Sequence, residues 1–204
     1  MGSVLLREVK SEIRIIGWDD TPFTFKDKRV LLIGVVFRGG NYMDGMLVTK
    51  IQVDGKDSTE KIIKAIKKSS HYEQLRIIML DGITFGGFNI VDMEKIFNST
   101  KLPVIAITRK NPDLESMKRA LKRFDDFDYR WSLIEKAGKV YPLKIKRFRG
   151  KEIETKEIYY QKMGIEKEDV EKIIKISSTH AFIPEPLRIA HIIASGFKGV
   201  KLLN

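Results

Sequence analysis

Apolar and polar positions along the chain follow two periods, and where one gives way to the other marks the expected elements. The segment "EIRIIGWDD" (12–20) is a β-branched run broken by Gly17 and then by two acids, Asp19 and Asp20, which predicts a strand ending in carboxylates. "RVLLIGVVFRGG" (29–40) predicts a second strand, stopped by Gly39 and Gly40. "YMDGMLVTKIQVDG" (42–55) alternates as an antiparallel partner should, so these three segments predict a meander. At "KDSTEKIIKAIKKSS" (56–70) the period becomes helical: Ile62, Ile63, Ala65 and Ile66 fall on one face, lysines occupy the other, and Asp57 or Ser58 is the candidate N-cap.

"QLRIIMLDG" (74–82) is almost uniformly apolar, as expected of a strand covered on both faces, and it ends in Asp81. "GFNIVDMEKIFNSTK" (87–101) predicts a helix and "LPVIAITRK" (102–110) another buried strand. "NPDLESMKRALKRF" (111–124) predicts a capped helix, with Asn111 as the cap preceding Pro112 at the first turn. The cationic, aromatic-containing "YPLKIKRFRGKEIETKEIYYQK" (141–162) predicts a small hairpin around Gly150. Two further helices are expected at "EKEDVEKIIKISS" (166–178) and "IPEPLRIAHIIASG" (183–196). A meander followed by alternating strands and helices predicts an α/β mixed sheet with right-handed crossovers and helices on its faces.

Composition narrows the picture. With 204 residues, 43% hydrophobic and 32% charged, the chain is long enough for one well-buried core, and a single domain over 1–204 is expected. No apolar run has the length of a membrane span, and the N-terminal residues lack the pattern of a signal peptide, so a cytoplasmic protein is expected. The absence of cysteine removes disulfides and thiolate metal sites together. A net charge of +11 favours polyanionic partners, nucleic acid foremost.

Candidate chemistry rests on acids at strand ends. Ligands of α/β sheets gather outside the carboxyl ends of parallel strands, so Asp19 and Asp81 are placed to hold a hard cation such as magnesium or manganese, the chemistry of a phosphodiester hydrolase. The competing reading of Asp81 is an Asp-Gly turn, the reading that Asp44-Gly45 and Asp54-Gly55 receive. His71, His180 and His191 lack metal-ligand spacing and read as surface or core residues. No nucleophile elbow, Walker loop or dinucleotide fingerprint is present.

The order of these motifs resembles endonuclease V, a ribonuclease H-like family that nicks nucleic acid near deaminated bases. "IIGWDDTPF", "IIMLDG", "KLPVIAITRK" and "IPEPLRIAHIIASG" are similar to its successive motifs over nearly the whole chain. Its Pro-Tyr-Ile-Pro wedge and the histidine-proline stretch after Asp-Gly are replaced here by "IQVDGKD" and "ITFGGFN". The pattern "GWDDTPF", "FRGG", "DGITFGGFN" and "PEPLRIAH" resembles more closely an archaeal sister family once of unknown function, UPF0215 or DUF99, whose members look like endonucleases acting on deoxyuridine in DNA.

The resemblance implies a ribonuclease H-like fold and a magnesium- or manganese-dependent endonuclease for DNA containing deaminated bases, most of all deoxyuridine. RNA remains an alternative substrate, and a catalytically inactive nucleic-acid-binding protein an alternative function. It places Asp19 and Asp81 as metal ligands and Glu60 as the third carboxylate, with Asp57 as a competitor; Asp20 would orient water or assist the metal. Arg38 and Arg109 would position phosphates, Thr84 and Phe85 would line a base pocket around "ITFGGFN", and Phe85 or Tyr42 would stack on the base or belong to the core.

Overall fold

Strands that are apolar on both faces place a seven-stranded sheet at the centre of the protein. The structure, a computed structural model, describes residues 9–24, 26–150 and 152–200. Strands β1 (Arg14–Asp20), β2 (Arg29–Arg38) and β3 (Tyr42–Gln52) form the expected meander, with Arg14 opposite Arg38 and Asp19 opposite Ile33. Helix α1 (Ser58–Lys68) carries the chain to β4 (Ile77–Asp81), which pairs with β1 in parallel. A two-residue ladder, β5 (Thr84–Phe85) with β6 (Asn89–Ile90), and helix α2 (Met93–Thr100) lead to β7 (Val104–Thr108), parallel to β4.

Helices α3 (Leu114–Leu121) and α4 (Phe127–Lys136) precede a hairpin of β8 (Tyr141–Arg149) and β9 (Glu152–Met163). Helices α5 (Lys167–Ser177) and α6 (Glu185–Ser195) follow. The strand order is β3-β2-β1-β4-β7-β9-β8, and β9 runs antiparallel to β7.

Because strand side chains alternate between faces, β1 divides its residues between two cores. Ile16 and Trp18 belong to the cluster shared with Ile62 and Ile66 of α1 and Ile96 of α2. Ile15 faces the other way, toward Ile173 and Ile174 of α5 and Leu187 of α6. A third cluster joins Ile33, Val35 and Phe37 of β2 to Ala190 and Ala194 of α6. Gly17 and Asp19 therefore lie on the α6 side.

Three local expectations change. The helix expected from Gly87 starts only at Met93, because Gly86 and Gly87 take φ of 51° and 84° and turn the chain into the β5–β6 ladder. Asp92 then caps α2 by accepting from the Lys95 amide. The cap of α3 is Asp113, which accepts from the Ser116 amide, rather than Asn111. The hairpin at Gly150 is larger than expected: β8 has 9 residues and β9 has 12, and together they extend the main sheet.

Candidate metal centre at the ends of the parallel strands

Strand register brings the two acids together. Trp18 of β1 lies beside Leu80 of β4 in a parallel pair, so the next residue of each, Asp19 and Asp81, leaves the sheet at the same edge. A third group arrives from the far end of the chain: His191 Nδ1 lies 2.7 Å from Asp19 Oδ2. One ligand atom each from Asp19, Asp81 and His191 all fall within 4.8 Å of one another.

Gly17 explains how α6 comes so close. A Cβ on Gly17 would lie 2.6 Å from the carbonyl carbon of Pro186 and 2.8 Å from the Leu187 amide nitrogen, so only glycine admits the helix backbone at this depth. From that contact, four residues along α6 advance about 6 Å and reach His191. Two residues along β1 advance about 6.6 Å and reach Asp19. One helical turn thus matches one strand repeat, and close contact at Gly17 becomes a side-chain contact at Asp19.

The entry of α6 is fixed by Glu185, buried at 2% exposure, which accepts from Arg188 Nη2 at 2.6 Å and from the His180 amide at 3.1 Å. Pro186 sits in the first turn, where its missing N–H has no intrahelical partner to lose.

The centre carries more negative than positive charge. Burial and the neighbouring charge of Asp81 push the Asp19 carboxyl up to about 7, although hydrogen bonds from His191 and the Asp20 amide pull it down. Asp20 is also raised, by burial foremost, and its Oδ2 accepts from the Gly86 amide at 2.7 Å. Opposite them, Arg109 Nη1 reaches Asp81 Oδ2 at 3.0 Å, and the His191 ring reaches Asp19. Three carboxylates face one guanidinium and one imidazole, an imbalance that a divalent cation would relieve.

The sequence model of the family described as Endonuclease dU matches residues 11–198. The chain belongs to the Endonuclease dU family. A UPF0215 protein of Methanothermobacter thermautotrophicus is 52% identical over 193 residues, covering 93% of this chain and 90% of the relative. Another from Thermococcus sibiricus is 44% identical over 196 residues, covering 94% and 95%. A crystal structure of a protein of unknown function from Archaeoglobus fulgidus superposes with a TM-score of 0.77 at 35% identity, covering 91% of this chain and 98% of that one.

Endonuclease V from Ciona intestinalis, solved with a DNA containing an inosine, shares the fold at a TM-score of 0.54 and 15% identity, covering 89% and 84%. With endonuclease V and Argonaute among its structural neighbours, the fold is ribonuclease H-like. Family and fold together support a nuclease.

In this Endonuclease dU family member the remaining expected residues lie in several places. Glu60 sits in the first turn of α1 and pairs with Lys95 of α2, its side chain 58% exposed. Asp57 accepts from the Gln52 amide at 3.1 Å and Asn89 Nδ2 at 2.8 Å, closing the loop before α1. Neither acid joins the group formed by Asp19 and Asp81; α1 packs on β3 and α2, whereas α6 packs on β1 and β2.

Arg38 and Tyr42 lie at the opposite end of β1. Arg38 is opposite Arg14, five residues from Asp19 and so about 17 Å along the strand. There Arg38 Nε binds Asp44 at 3.0 Å, and its guanidinium lies 5.2 Å from the centre of the Tyr42 ring. Phe85, at 1% exposure, is a core residue of the α1–α2 face rather than a stacking surface.

Thr84 and Arg109 do lie near the centre. Thr84 lines a cavity of about 240 Å³ with Gly82, Ile83, Thr108, Met117 and Gln161; it starts at the residue after Asp81. The sequence reading passed over His191 because its partner is 172 positions away. Its signal was present in the "PEPLRIAH" motif itself, one helical turn after Leu187.

Proposed function

We propose that this chain is a cytoplasmic DNA-repair endonuclease, dependent on magnesium or manganese, that cuts DNA beside deaminated bases, with deoxyuridine as its principal target. The observation that carries this reading is the convergence of Asp19, Asp81 and His191 at the carboxyl ends of adjacent parallel strands. Two carboxylates and an imidazole suit magnesium or manganese, with the imidazole more at home on manganese, and the surplus of carboxylates over cations fits such an ion.

Asp19, Asp81 and His191 would hold the cation. When bound, a divalent ion supplies charge stabilisation for a phosphodiester and acidifies a coordinated water. Asp20, tethered by the Gly86 amide and hydrogen-bonded to the Asp19 side chain, sits where it would orient a water or assist the metal through Asp19. Arg109 is about half exposed while touching Asp81, so its remaining donors are available to a phosphate oxygen. The cavity lined by Gly82, the residue that follows Asp81, would receive an extruded base, which costs less to unstack when it is mispaired. The charge of +11 supports attraction of the polyanion.

The test is cleavage of end-labelled DNA carrying one deoxyuridine, with magnesium, manganese or chelator, alongside matched inosine DNA and uracil-free RNA. Cation-dependent nicking favouring the deoxyuridine strand, lost in Asp19→Asn with DNA binding retained, is the expected result. Binding without nicking on every substrate would make the protein a binding module, and preferential cutting of RNA would replace DNA as the substrate.

A further inference from the structure

Besides the cavity after Asp81, a second cavity starts at the residue after Asp20. Its volume is about 380 Å³, and its lining includes Thr21, Phe23, Arg29, Val30, Phe197 and Lys198. Since β1 and β4 are adjacent and parallel, the acids that end them have one cavity following each strand. Resting on the nuclease reading above, we infer that this second cavity holds a nucleotide of the cleaved strand that flanks the damaged one, its base against Phe23 and Phe197 and its phosphate on Lys26, Arg29 and Lys198.

Three observations support a nucleotide as the occupant. The floor is rigid: the Thr21 amide donates to Leu31 O at 3.0 Å, Thr21 Oγ1 accepts from the Leu31 amide at 3.1 Å, and Val30 is buried. The wall offers aromatic surface, with Phe23 at 38% exposure and Phe197 half-buried. Charge is complementary to a phosphate: among the described residues, Lys26, Arg29 and Lys198 pair with no carboxylate. The lining also holds one acid, Asp27, whose Oδ2 accepts from the Thr24 amide at 2.7 Å and hydroxyl at 2.8 Å, so three cations face one carboxylate.

An aromatic wall beside cations is the arrangement by which single-stranded nucleic acid is held without strict base readout, since every base presents a face for stacking. Arg29 also lines a smaller pocket with Lys50, Gln52, Asp57 and Lys61, where three cations face one acid along the β2–β3 side.

The experiment is a coupling cycle. Oligonucleotides carry one deoxyuridine and, at each flanking position in turn, either a normal base or an abasic analogue; wild type is compared with Phe23→Ala and Phe23→Trp. Binding of the cation-free protein and cleavage with magnesium are both measured. At one flanking position, loss of the base should weaken wild-type binding about tenfold; the same loss should matter little in Phe23→Ala and should matter again in Phe23→Trp. Arg29→Gln should weaken binding of all these oligonucleotides and reduce its salt dependence.

Coupling in binding without any cleavage would leave this site standing and remove the nuclease reading. Cleavage at deoxyuridine with no flanking position coupled to Phe23, in folded variants with unchanged melting temperature, would overturn the site and leave the nuclease reading intact.

Discussion

An acid lies among charged neighbours at each end of β1, Asp44 of β3 beside its start and Asp19 at its own end, and the two differ in how that charge is balanced. At the start of the strand, Asp44 lies between Arg14 Nε at 3.1 Å and Arg38 Nε at 3.0 Å. Burial raises its carboxyl, but the hydrogen bonds and charges of the two guanidiniums outweigh that and hold it below the ordinary carboxylate value. At the end of the strand, Asp19 is buried beside Asp81, and the hydrogen bonds from His191 and the Asp20 amide do not outweigh burial and that charge, so its carboxyl rises to about 7. Both Asp44 and Asp81 precede a glycine, so sequence context alone does not separate them. Charge balance does: an acid already neutralised by arginines fastens strands, whereas acids outnumbering their cations form a site for a cation from outside.

The largest break between the two ends should come from removing the acids. Asp19→Asn and Asp81→Asn should each lower cation-dependent nicking by about a thousandfold, with DNA binding retained in a gel-shift assay. Next, His191→Ala should weaken manganese affinity by about 10- to 100-fold in calorimetry, the loss of one donor from a group of three. Gly17→Ala attacks the same site through packing. Its Cβ would strike Pro186, so it should destabilise the fold by about 2 kcal/mol in urea unfolding and reduce manganese affinity by displacing His191.

Titration sharpens the comparison because the two ends respond with opposite sign. In cation-free protein below about pH 4, Asp19 is protonated in both folded and unfolded states and contributes nothing. Between its ordinary value of 3.8 and about 7 the unfolded chain releases the proton while the folded state keeps it, so stability should fall as pH rises and level off above that window. Asp19→Asn should flatten this part of the urea-midpoint profile. Asp44, held low, contributes stability above its ordinary value that is lost as pH falls through its folded value. The smallest expected effect is that of Asp44→Asn: about 1 kcal/mol of stability, reduced by the partial exposure of its arginines, with the nicking rate unchanged.

Much of the fold was legible because its signals are local. A β-branched run located β1, an apolar run stopped by two glycines β2 and period-two alternation β3, while continuous apolar runs located β4 and β7. Asp19 and Asp81 stood out because an acid ending an apolar run is conspicuous whatever follows. What the sequence obscured depends on distant packing. Glu60 is correctly placed at the start of a helix, but that helix packs on β3 and α2.

His191 becomes a neighbour of Asp19 only because Gly17 lets α6 approach the sheet. Arg38 ends an apolar strand just as Asp19 does, yet in a meander the end of β2 meets the start of β1, so the same local pattern points to opposite edges. Phe85 was drawn inward by the turn at Gly86 and Gly87, a conformational effect that neither hydrophobicity nor charge records.

Anomalous diffraction from crystals soaked in manganese shows at once whether Asp19, Asp81 and His191 together form the cation site. The expected result is a manganese peak within about 2.0–2.5 Å of a carboxylate oxygen of Asp19, one of Asp81 and a ring nitrogen of His191, absent from Asp19→Asn crystals. A peak held by Glu60 or Asp57 instead, or full manganese-dependent nicking with no ion between Asp19 and Asp81, would contradict it.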